Sequence, residues 1–314
     1  MTKRAPVTGR PVIFGEVLFD RFPDGTEVLG GAPFNVAWHL QGFQRAPLLI
    51  SRIGSDPSGK RVQQAMHAWG MDTAGLQSDA DHPTGLVDVR LEGQHHSFDI
   101  LPDRAYDHID IGLSQEALRG VQAALLYHGT LIVRTPKVRK VLEGILNTAP
   151  APVFVDVNLR EPWWRDEDLP PMLERARWLK VNDEELTLIA NQVGLRTNGL
   201  EETAQRFQTA YQLDSLIVTL GAQGALALDS AEGLVRVEPE QDVEIIDTVG
   251  AGDAFSAVVL LGLLEGWPFS VILQRAQGFA SRICAQRGAT SQASDRYQAM
   301  MKAWQEGDAN AVTP

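Results

Sequence analysis

The chain has 314 residues, 44% of them hydrophobic and 22% charged, which is an ordinary composition for a soluble globular enzyme. The formal net charge of −12, without a basic run or a basic patch with interleaved aromatic residues, argues against a general nucleic-acid binder. Because no apolar stretch reaches the roughly 20 residues that span a bilayer, and the single cysteine, Cys284, cannot form an internal disulfide, we expect a cytoplasmic protein without membrane contact.

Strand and helix patterns alternate along the chain, which favours a mostly parallel sheet with helices on both faces. The first strand is predicted at residues 11–19. A helix is predicted at residues 33–43, because proline is favoured in the first helical turn. Apolar residues at helical spacing predict a second helix around residues 62–69, and later apolar runs predict strands at residues 48–53, 124–127, 153–157, 178–181 and 216–220.

One segment breaks this alternation. Apolar and polar residues alternate through Val87, Val89 and Leu91, and a second extended run follows Gly93, so residues 84–101 are predicted to form a hairpin. Together with part of residues 19–28, the hairpin is expected to form a small sheet apart from the main one. An ordinary hairpin at the edge of the main sheet is the alternative.

The most informative run is Asp247-Thr-Val-Gly-Ala-Gly-Asp-Ala-Phe255. It follows a strand-like stretch (Val243, Ile245 and Ile246) and precedes a helix-like one, so Gly250, Ala251 and Gly252 are predicted to turn into a helix N-terminus. Such a terminus attracts anions, because its N–H groups lack partners and the helix dipole is positive there. Asp253 would lie beside this anion site as a base. Alternatively, it merely complements the dipole.

Two competing phosphate-binding motifs fail. Gly250-x-Gly252-x-x-Phe255 has phenylalanine where a dinucleotide-binding fingerprint needs glycine or alanine. The segment from Gly54 to Arg61 nearly matches a Walker A loop, but Arg61 replaces the serine or threonine that would bind magnesium. This segment is therefore predicted to be a strand-to-helix loop.

Polar residues follow several predicted strands, where open α/β sheets bind ligands. Asp20 ends the first predicted strand, and Asp156-Val-Asn-Leu-Arg160 follows a fully apolar one. Asn35 lies in a predicted helix interior, a position that suits asparagine poorly unless its side chain has a role. From pattern alone, Asp20 is as well explained by a turn near Pro23, and Arg160 by the protein surface.

Two further motifs have both structural and functional explanations. Asn182 and Glu185 match an N-cap and a capping box at the start of a helix. Thr219, Gly221 and Gly224 lie where a strand turns into the next one, and the two glycines alone satisfy the turn.

In their order along the chain, these segments resemble the signatures of the ribokinase-like (PfkB-type) carbohydrate kinases, and fructokinases most of all. The resemblance rests on Gly30-Gly-Ala-Pro-Phe-Asn-Val-Ala37, Asp-x-Asn-x-Arg160, Asn182-x-x-Glu185, Thr219-x-Gly221 and Gly250-Ala-Gly-Asp253. It implies one three-layer α/β/α domain, residues 1–314, with a mostly parallel central sheet. It also implies a small β-sheet lid formed by about residues 16–31 and 84–104. A homodimer would form if the lids of two subunits paired at their strand edges.

The resemblance also implies roles for individual residues. Asp253 is the expected catalytic base, and the Gly250-Ala251-Gly252 turn is the expected anion hole. Magnesium is assigned to Glu185 through water, and a monovalent cation such as K⁺ to Asp247, near a loop at residues 287–289. The expected sugar ligands are Asp20, Gly31, Asn35, Asn158 and Arg160, and the expected ATP ligands are Asn182, Thr219, Gly221, Gly224 and Gln277, the last replacing an asparagine found in many relatives.

The implied reaction is transfer of the γ-phosphoryl group of ATP to a small sugar. Fructose is the first choice, because the early Gly-Glu-Val-Leu-Phe-Asp20 run and the Asp-x-Asn-Leu-Arg-Glu-Pro-Trp163 run are most similar to fructokinases. A 2-keto-3-deoxygluconate kinase comes second and a ribokinase or nucleoside kinase third. Outside enzymes, a sugar sensor that keeps the fold without turnover is the alternative.

Overall fold

The computed structural model describes residues 4–92, 95–239 and 244–312, and the side chains of all of these except residues 91–97 and 308–312. Its strands are β1 (Arg10–Phe14), β2 (Leu18–Arg21), β3 (Glu27–Gly30), β4 (Leu48–Gly54), β5 (Leu76–Asp79), β6 (Gly85–Glu92), β7 (His95–Ile100), β8 (Ala123–Gly129), β9 (Val153–Asp156), β10 (Ala176–Asn182), β11 (Ser215–Thr219), β12 (Ala225–Asp229) and β13 (Gly233–Val237).

Ten α-helices are present in this described part of the chain. They are α1 (Ala32–Gly42), α2 (Pro57–Ala68), α3 (Ile111–Ala117), α4 (Pro136–Thr148), α5 (Leu169–Arg175), α6 (Asp183–Gln192), α7 (Leu200–Ala210), α8 (Ala251–Glu265), α9 (Phe269–Cys284) and α10 (Ser294–Val312). None of the described helices is both long enough and apolar enough to cross a membrane.

The main sheet has nine strands in the order β13-β12-β11-β10-β9-β8-β1-β4-β5. Neighbours pair in parallel from β11 to β5, whereas β12 and β13 are antiparallel. Successive strand residues face opposite sides, so Ile13 joins one core cluster while Val12 and Phe14 join the other. Helices cover both faces, which confirms the predicted three-layer α/β/α class.

The central helix α8 is apolar all round, which is typical of a buried helix. Every residue from Ala254 to Leu264 in it is buried. Its first residues, Ala251 to Asp253, are at least partly exposed, so the buried body of the helix anchors an N-terminus that a ligand can reach.

The prediction of one strand at residues 11–19 is wrong. The chain leaves the main sheet after Phe14 and enters a second sheet at Leu18. Gly15 lies at the break, where a Cβ atom would be 2.0 Å from Cγ of Pro33, so only glycine lets the start of α1 approach this closely. Most of β1 and the first two residues of β2 are buried, so the apolar run from one to the other gives no sign that the chain changes sheets.

The second sheet has four strands in the order β3-β2-β6-β7. It contains the predicted hairpin, in which β6 and β7 pair antiparallel, and β2 pairs in parallel with β6. The expectation of a small separate sheet is confirmed, and the alternative of an edge hairpin on the main sheet is wrong. The predicted tip at Gly93 and Gln94 lies outside the described residues.

The strand-like stretch predicted before the glycine turn is also wrong for Ile245 and Ile246, and Val243 lies outside the described residues. The backbone N–H groups of Ile246 and Asp247 both donate to the carbonyl of Cys284. This segment is therefore attached to the end of α9 and belongs to no sheet. Its isoleucines are 63% and 54% exposed, which the apolar pattern could not reveal.

Candidate active site

A cavity of about 550 Å³ lies between the small sheet and the N-terminus of α8. Its walls include apolar side chains of the small sheet, among them Val87, Phe98 and Ile100. Eight residues singled out by the sequence line it together, although they come from four separate segments. They are Asp20, Gly31, Asn35, Asn158, Arg160, Gly250, Gly252 and Asp253.

The glycine turn has the predicted form. Gly250 has φ 82°, and α8 begins at Ala251; a Cβ on Gly250 would lie 2.3 Å from Cβ of Ala289, so glycine is required there. The N–H of Ala251 donates to the carbonyl of Thr248 at 3.3 Å. The N–H groups of Gly252 and Asp253 have no acceptor within the helix, so an anion in the cavity would be bound mainly by these two.

Asn35 positions the carboxylate of Asp253. Its Nδ2 donates to Oδ2 of Asp253 at 2.8 Å, while its Oδ1 is buried and has no protein partner in the described structure. Asn35 therefore joins α1 to α8 and keeps one acceptor for a ligand. This geometry explains an asparagine in a helix interior, and it adds to the sequence interpretation, in which Asn35 contacted only the sugar.

The surroundings of Asp253 raise the pKa of its carboxyl group. Burial contributes most, the hydrogen bond from Asn35 opposes the rise, and the nearby Asp156 carboxylate adds to it. The positive charges of Lys180 and Arg160 lower it again. A carboxylate with a raised pKa is a stronger proton acceptor, as a general base requires.

A buried ion pair that the sequence interpretation missed lies beneath the turn. Lys180 Nζ donates to Oδ1 of Asp156 at 2.7 Å, and Oδ2 of Asp156 accepts from Ser256 at 2.6 Å and Tyr127 at 3.1 Å. The nearest atom to the Cβ position of Gly252 is Lys180 Nζ, at 3.7 Å. Lys180 thus lies against the glycine turn, with its ammonium group hydrogen-bonded to Asp156. A lysine within an otherwise apolar predicted strand was the available signal.

Glu16 was also missed. It is 4% exposed and lines the cavity, and its Oε2 has no partner within the described structure. Burial, reinforced by the charge of Asp253, raises the pKa of Glu16 to about 7 against the opposing effect of its own backbone hydrogen bond. Burial and Asp253 likewise raise the pKa of Asp20 to about 6. The cavity therefore gathers three carboxyl groups that resist ionisation.

We expect Glu16→Gln to stabilise the protein more at pH 8 than at pH 5. The pKa of Glu16 is about 7 in the folded protein, against an ordinary value of 4.5. The protonated side chain therefore contributes its full stability below pH 4.5, and this contribution is lost as the pH rises to 7. Glutamine does not ionise, so the difference in free energy of unfolding should grow by about 2 kcal/mol between the two pH values.

Urea denaturation of both proteins at each pH measures this difference. The exposed Glu238 provides a control variant, Glu238→Gln, which should show no such growth. An unfolding free energy for Glu16→Gln that tracks the wild type at both pH values would show that Glu16 is ionised freely in the folded protein.

The loop that carries Asn158 and Arg160 is held from two sides. Asn158 has φ 46°, and Thr130 Oγ1 donates to the carbonyls of Val157 at 2.5 Å and Asn158 at 3.1 Å. Glu185 Oε1 accepts from the N–H of Leu159 at 2.7 Å. Arg160 itself is exposed at the cavity edge, where its charge lowers the pKa values of Glu16, Asp20 and Asp253.

Asn182 and Glu185 form the predicted capping box at the start of α6. Asn182 Oδ1 accepts from the N–H of Glu185 at 2.7 Å, and Glu185 Oε2 accepts from the N–H of Asn182 at 2.9 Å. Since Oε1 also accepts from Leu159, both carboxylate oxygens already have donors. A carboxylate held in this way fits a hydrated Mg²⁺ that contacts it through water, because Mg²⁺ keeps several of its waters in proteins.

The remaining predicted ligands lie outside the cavity lining. Thr219 pairs in register with Asn182 in the sheet, Gly221 and Gly224 form the expected tight turn into β12, and Gln277 is half-buried in α9. Asp247 accepts from the N–H groups of Val249 and Gly288, so it joins the glycine turn to the loop at residues 287–289. None of these residues lines the cavity that contains Glu16, Asp20 and Asp253, and their roles stay predictions.

Comparison with known proteins decides the family. Residues 7–296 match the pfkB family of carbohydrate kinases. The chain belongs to this family. It is 30% identical to a fructokinase from Klebsiella pneumoniae over 82% of this chain and 85% of that one, and 29% identical to an aminoimidazole riboside kinase from Salmonella typhimurium over 74% and 73%.

Solved structures of family members share the fold. A double mutant of the fructokinase from Vibrio cholerae, crystallised with fructose, ADP and a potassium ion, superposes with a TM-score of 0.78 at 24% identity over 95% of this chain and 99% of that one. The predicted family and ribokinase-like fold are therefore confirmed, and the protein is a sugar kinase of the pfkB family. The relatives act on more than one sugar, so the family alone does not name the substrate.

Proposed function

We propose that this pfkB kinase transfers the γ-phosphoryl group of ATP to a hydroxyl group of fructose. The observation that carries the proposal is the position of Asp253, which lies at the N-terminus of α8 and is oriented by Asn35 inside a cavity lined with polar groups. A base, an anion site and a polar pocket are thereby within one small volume. Phosphoryl transfer needs this combination, since positioning and charge stabilisation supply most of its catalysis.

In the proposed reaction, a carboxylate oxygen of Asp253 takes the proton from the sugar hydroxyl group. The oxygen of that sugar hydroxyl group attacks the γ-phosphorus, and the bond from the γ-phosphorus to the oxygen that bridges the β- and γ-phosphorus atoms breaks, so the products are the sugar phosphate and ADP. The N–H groups of Gly252 and Asp253 stabilise the charge that develops on the transferred group. Lys180 adds positive charge from beneath.

Mg²⁺, held through water near Glu185, would neutralise the phosphates. K⁺ near Asp247 would support the loops beside the turn, as the potassium-bound relative suggests. The small sheet is proposed as the lid of a single domain, because its apolar residues form one wall of the cavity and would exclude water. A cytoplasmic location is proposed with this activity, because ATP is supplied there.

Fructose is favoured over a sugar acid by the charges of the pocket. Three carboxyl groups line the cavity (Glu16, Asp20 and Asp253), and Arg160 is the one cationic side chain among the described lining residues. The carboxylate of a sugar acid would make the ionisation of these three carboxyl groups still less favourable, whereas the hydroxyl groups of a neutral sugar can donate hydrogen bonds to their oxygens. The fructokinase relatives add to this argument.

ADP release across a panel of acceptors tests the proposal. The panel contains fructose, 2-keto-3-deoxygluconate, ribose, aminoimidazole riboside and no acceptor, each with ATP and Mg²⁺. Fructose should give the highest kcat/KM, and ADP release without acceptor should be very low. A higher value for another sugar would replace fructose as the substrate, and tight sugar binding without ADP release would indicate a sensor.

Arg160→Ala is expected to raise the KM for the sugar more than the KM for ATP. Arg160 is near the sugar-side carboxyl groups Glu16 and Asp20, so its loss removes a donor from one ligand only. Steady-state kinetics with each substrate varied in turn measure the two effects. Equal effects on both KM values would assign Arg160 a structural role. No effect on either KM would show that it is a surface residue that contacts neither ligand.

A homodimer through the small sheet is proposed as well. Its edges are β3 and β7, and unpaired strand edges are ready surfaces for strand pairing between copies. Val28 on β3 is 38% exposed. Val28→Lys should shift the mass measured by light scattering from dimer to monomer, and a monomeric wild type would refute the proposal.

A further inference from the structure

The hairpin of β6 and β7 is joined to the main body by two connections, residues 80–84 before it and residues 101–110 after it. Three side chains from these connections meet. His108 Nε2 is 2.7 Å from Asp103 Oδ1, and His82 Nε2 is 3.8 Å from the same oxygen. The two imidazole rings stack with centroids 3.4 Å apart, and the three potential ligand atoms lie within 4.8 Å of one another.

A buried carboxylate fixes the orientation of His82. Its Nδ1 lies 3.1 Å from Oδ2 of Asp79, a residue 2% exposed that also pairs with Arg52 at 2.8 Å. Nδ1–H donates to this carboxylate in the neutral ring, so the lone pair of Nε2 faces Asp103. Two acceptors then face each other at 3.8 Å, an arrangement that a cation between them would relieve. A carboxylate behind a histidine is the usual support of a metal-binding imidazole.

We propose that His82 Nε2, His108 Nε2 and an oxygen of Asp103 bind a divalent transition-metal ion, with Zn²⁺ as the best match. Two imidazoles and one carboxylate suit Zn²⁺ and leave a position for water. The lone pairs lie in the ring planes, so binding rotates one ring out of the stack. All three ligands are at least partly exposed, and an ion can reach them from solvent.

The positive charge of Lys137 disfavours a cation at this site, so removing the lysine should change metal affinity in the opposite direction to removing a ligand. Its Nζ lies 3.2 Å from His108 Nδ1, where the ammonium group donates and thereby keeps the proton of His108 on Nε2. Binding requires that Nε2 release this proton to solvent and that Lys137 move away, which its exposed position allows. Removal of the lysine should therefore tighten metal binding.

The ion would join the two connections of the hairpin. His82 belongs to the first connection, and Asp103 and His108 belong to the second. A bound metal would restrict movement of β6 and β7 relative to the main sheet. This site uses neither ATP nor sugar, and it does not depend on the proposed function.

Competition between the chelator-treated full-length protein and a chromophoric zinc chelator at pH 7.5 tests the proposal. We expect one Zn²⁺ per chain. His82→Ala and His108→Ala should each weaken its binding at least tenfold, whereas Lys137→Met should strengthen it severalfold. The exposed His67 on α2 supplies the control variant His67→Ala, which should bind like the wild type.

Asp103→Asn keeps the test valid if the histidine variants fail to fold. Asp103 is 74% exposed with φ 55°, a conformation that asparagine tolerates, so the variant should fold and still bind Zn²⁺ at least tenfold more weakly. Hydrogen exchange gives a second readout, since Zn²⁺ should slow amide exchange in β6 and β7 of the wild type and leave that of His82→Ala unchanged. Zinc affinity equal to the wild type in His82→Ala, His108→Ala and Asp103→Asn would overturn the proposal.

Discussion

Asp253→Asn is expected to lower kcat by about 10²–10⁴-fold, the usual loss when a general base is removed. Asparagine keeps the size of the side chain but has no basic carboxylate oxygen, so binding of ATP and sugar should remain close to wild type. Steady-state kinetics and calorimetric titration of each ligand measure the two properties.

The control for this variant is Asp295→Asn, which removes an exposed carboxylate at the start of α10 and should leave kcat unchanged. A kcat of Asp253→Asn near that of the wild type would exclude Asp253 as the base. Loss of ligand binding together with turnover would instead assign it a structural role in the cavity.

Lys180→Met is expected to cost about 3–5 kcal/mol in free energy of unfolding, because removing one partner of a buried ion pair leaves the other charge uncompensated. Lys180 is 7% exposed and Asp156 is 3% exposed. Burial lowers the pKa of Lys180, but the charge and hydrogen bond of Asp156 outweigh it and give a net rise, so Lys180 carries its positive charge at neutral pH.

The double variant Lys180→Met/Asp156→Asn should recover a large part of this stability, since it removes both charges. Urea denaturation of the four proteins in the cycle measures the coupling. If the double variant folds but turns over more slowly than the wild type, the positive charge beneath Gly252 contributes to the reaction. Additive losses in the two single variants would show that the pair is not coupled.

The sequence located the glycine turn and Asp253 correctly because local rules determine both. Glycines between apolar residues and an apolar helix leave the backbone few conformations other than a tight turn. Asp253 then falls in the first helical turn. The change of sheet after Phe14 could not be predicted, since Val17, Leu18 and Phe19 continue the buried apolar run of β1 with only a short interruption. Asp20 was therefore predicted at the end of the first main strand, whereas it belongs to the small sheet.

Glu16 and Lys180 were missed for a different reason. Their surroundings come from chain segments far apart in sequence, such as Asp156 and Asp253, and only the folded chain shows that these charges are close. Asn182 and Glu185 illustrate the converse. Their capping box was predictable from spacing, but their proposed contact with a hydrated metal ion depends on a ligand that spacing does not describe.

The central claim is tested most directly by following ATP, Mg²⁺ and fructose with the enzyme by ³¹P NMR. We predict that the γ-phosphate signal of ATP is replaced by ADP and a phosphomonoester signal split into a triplet by two protons, as expected for a phosphorylated primary hydroxyl group. Asp253→Asn should give this signal about 10²–10⁴-fold more slowly. Release of inorganic phosphate alone, or no change in ATP with fructose present, would contradict the account.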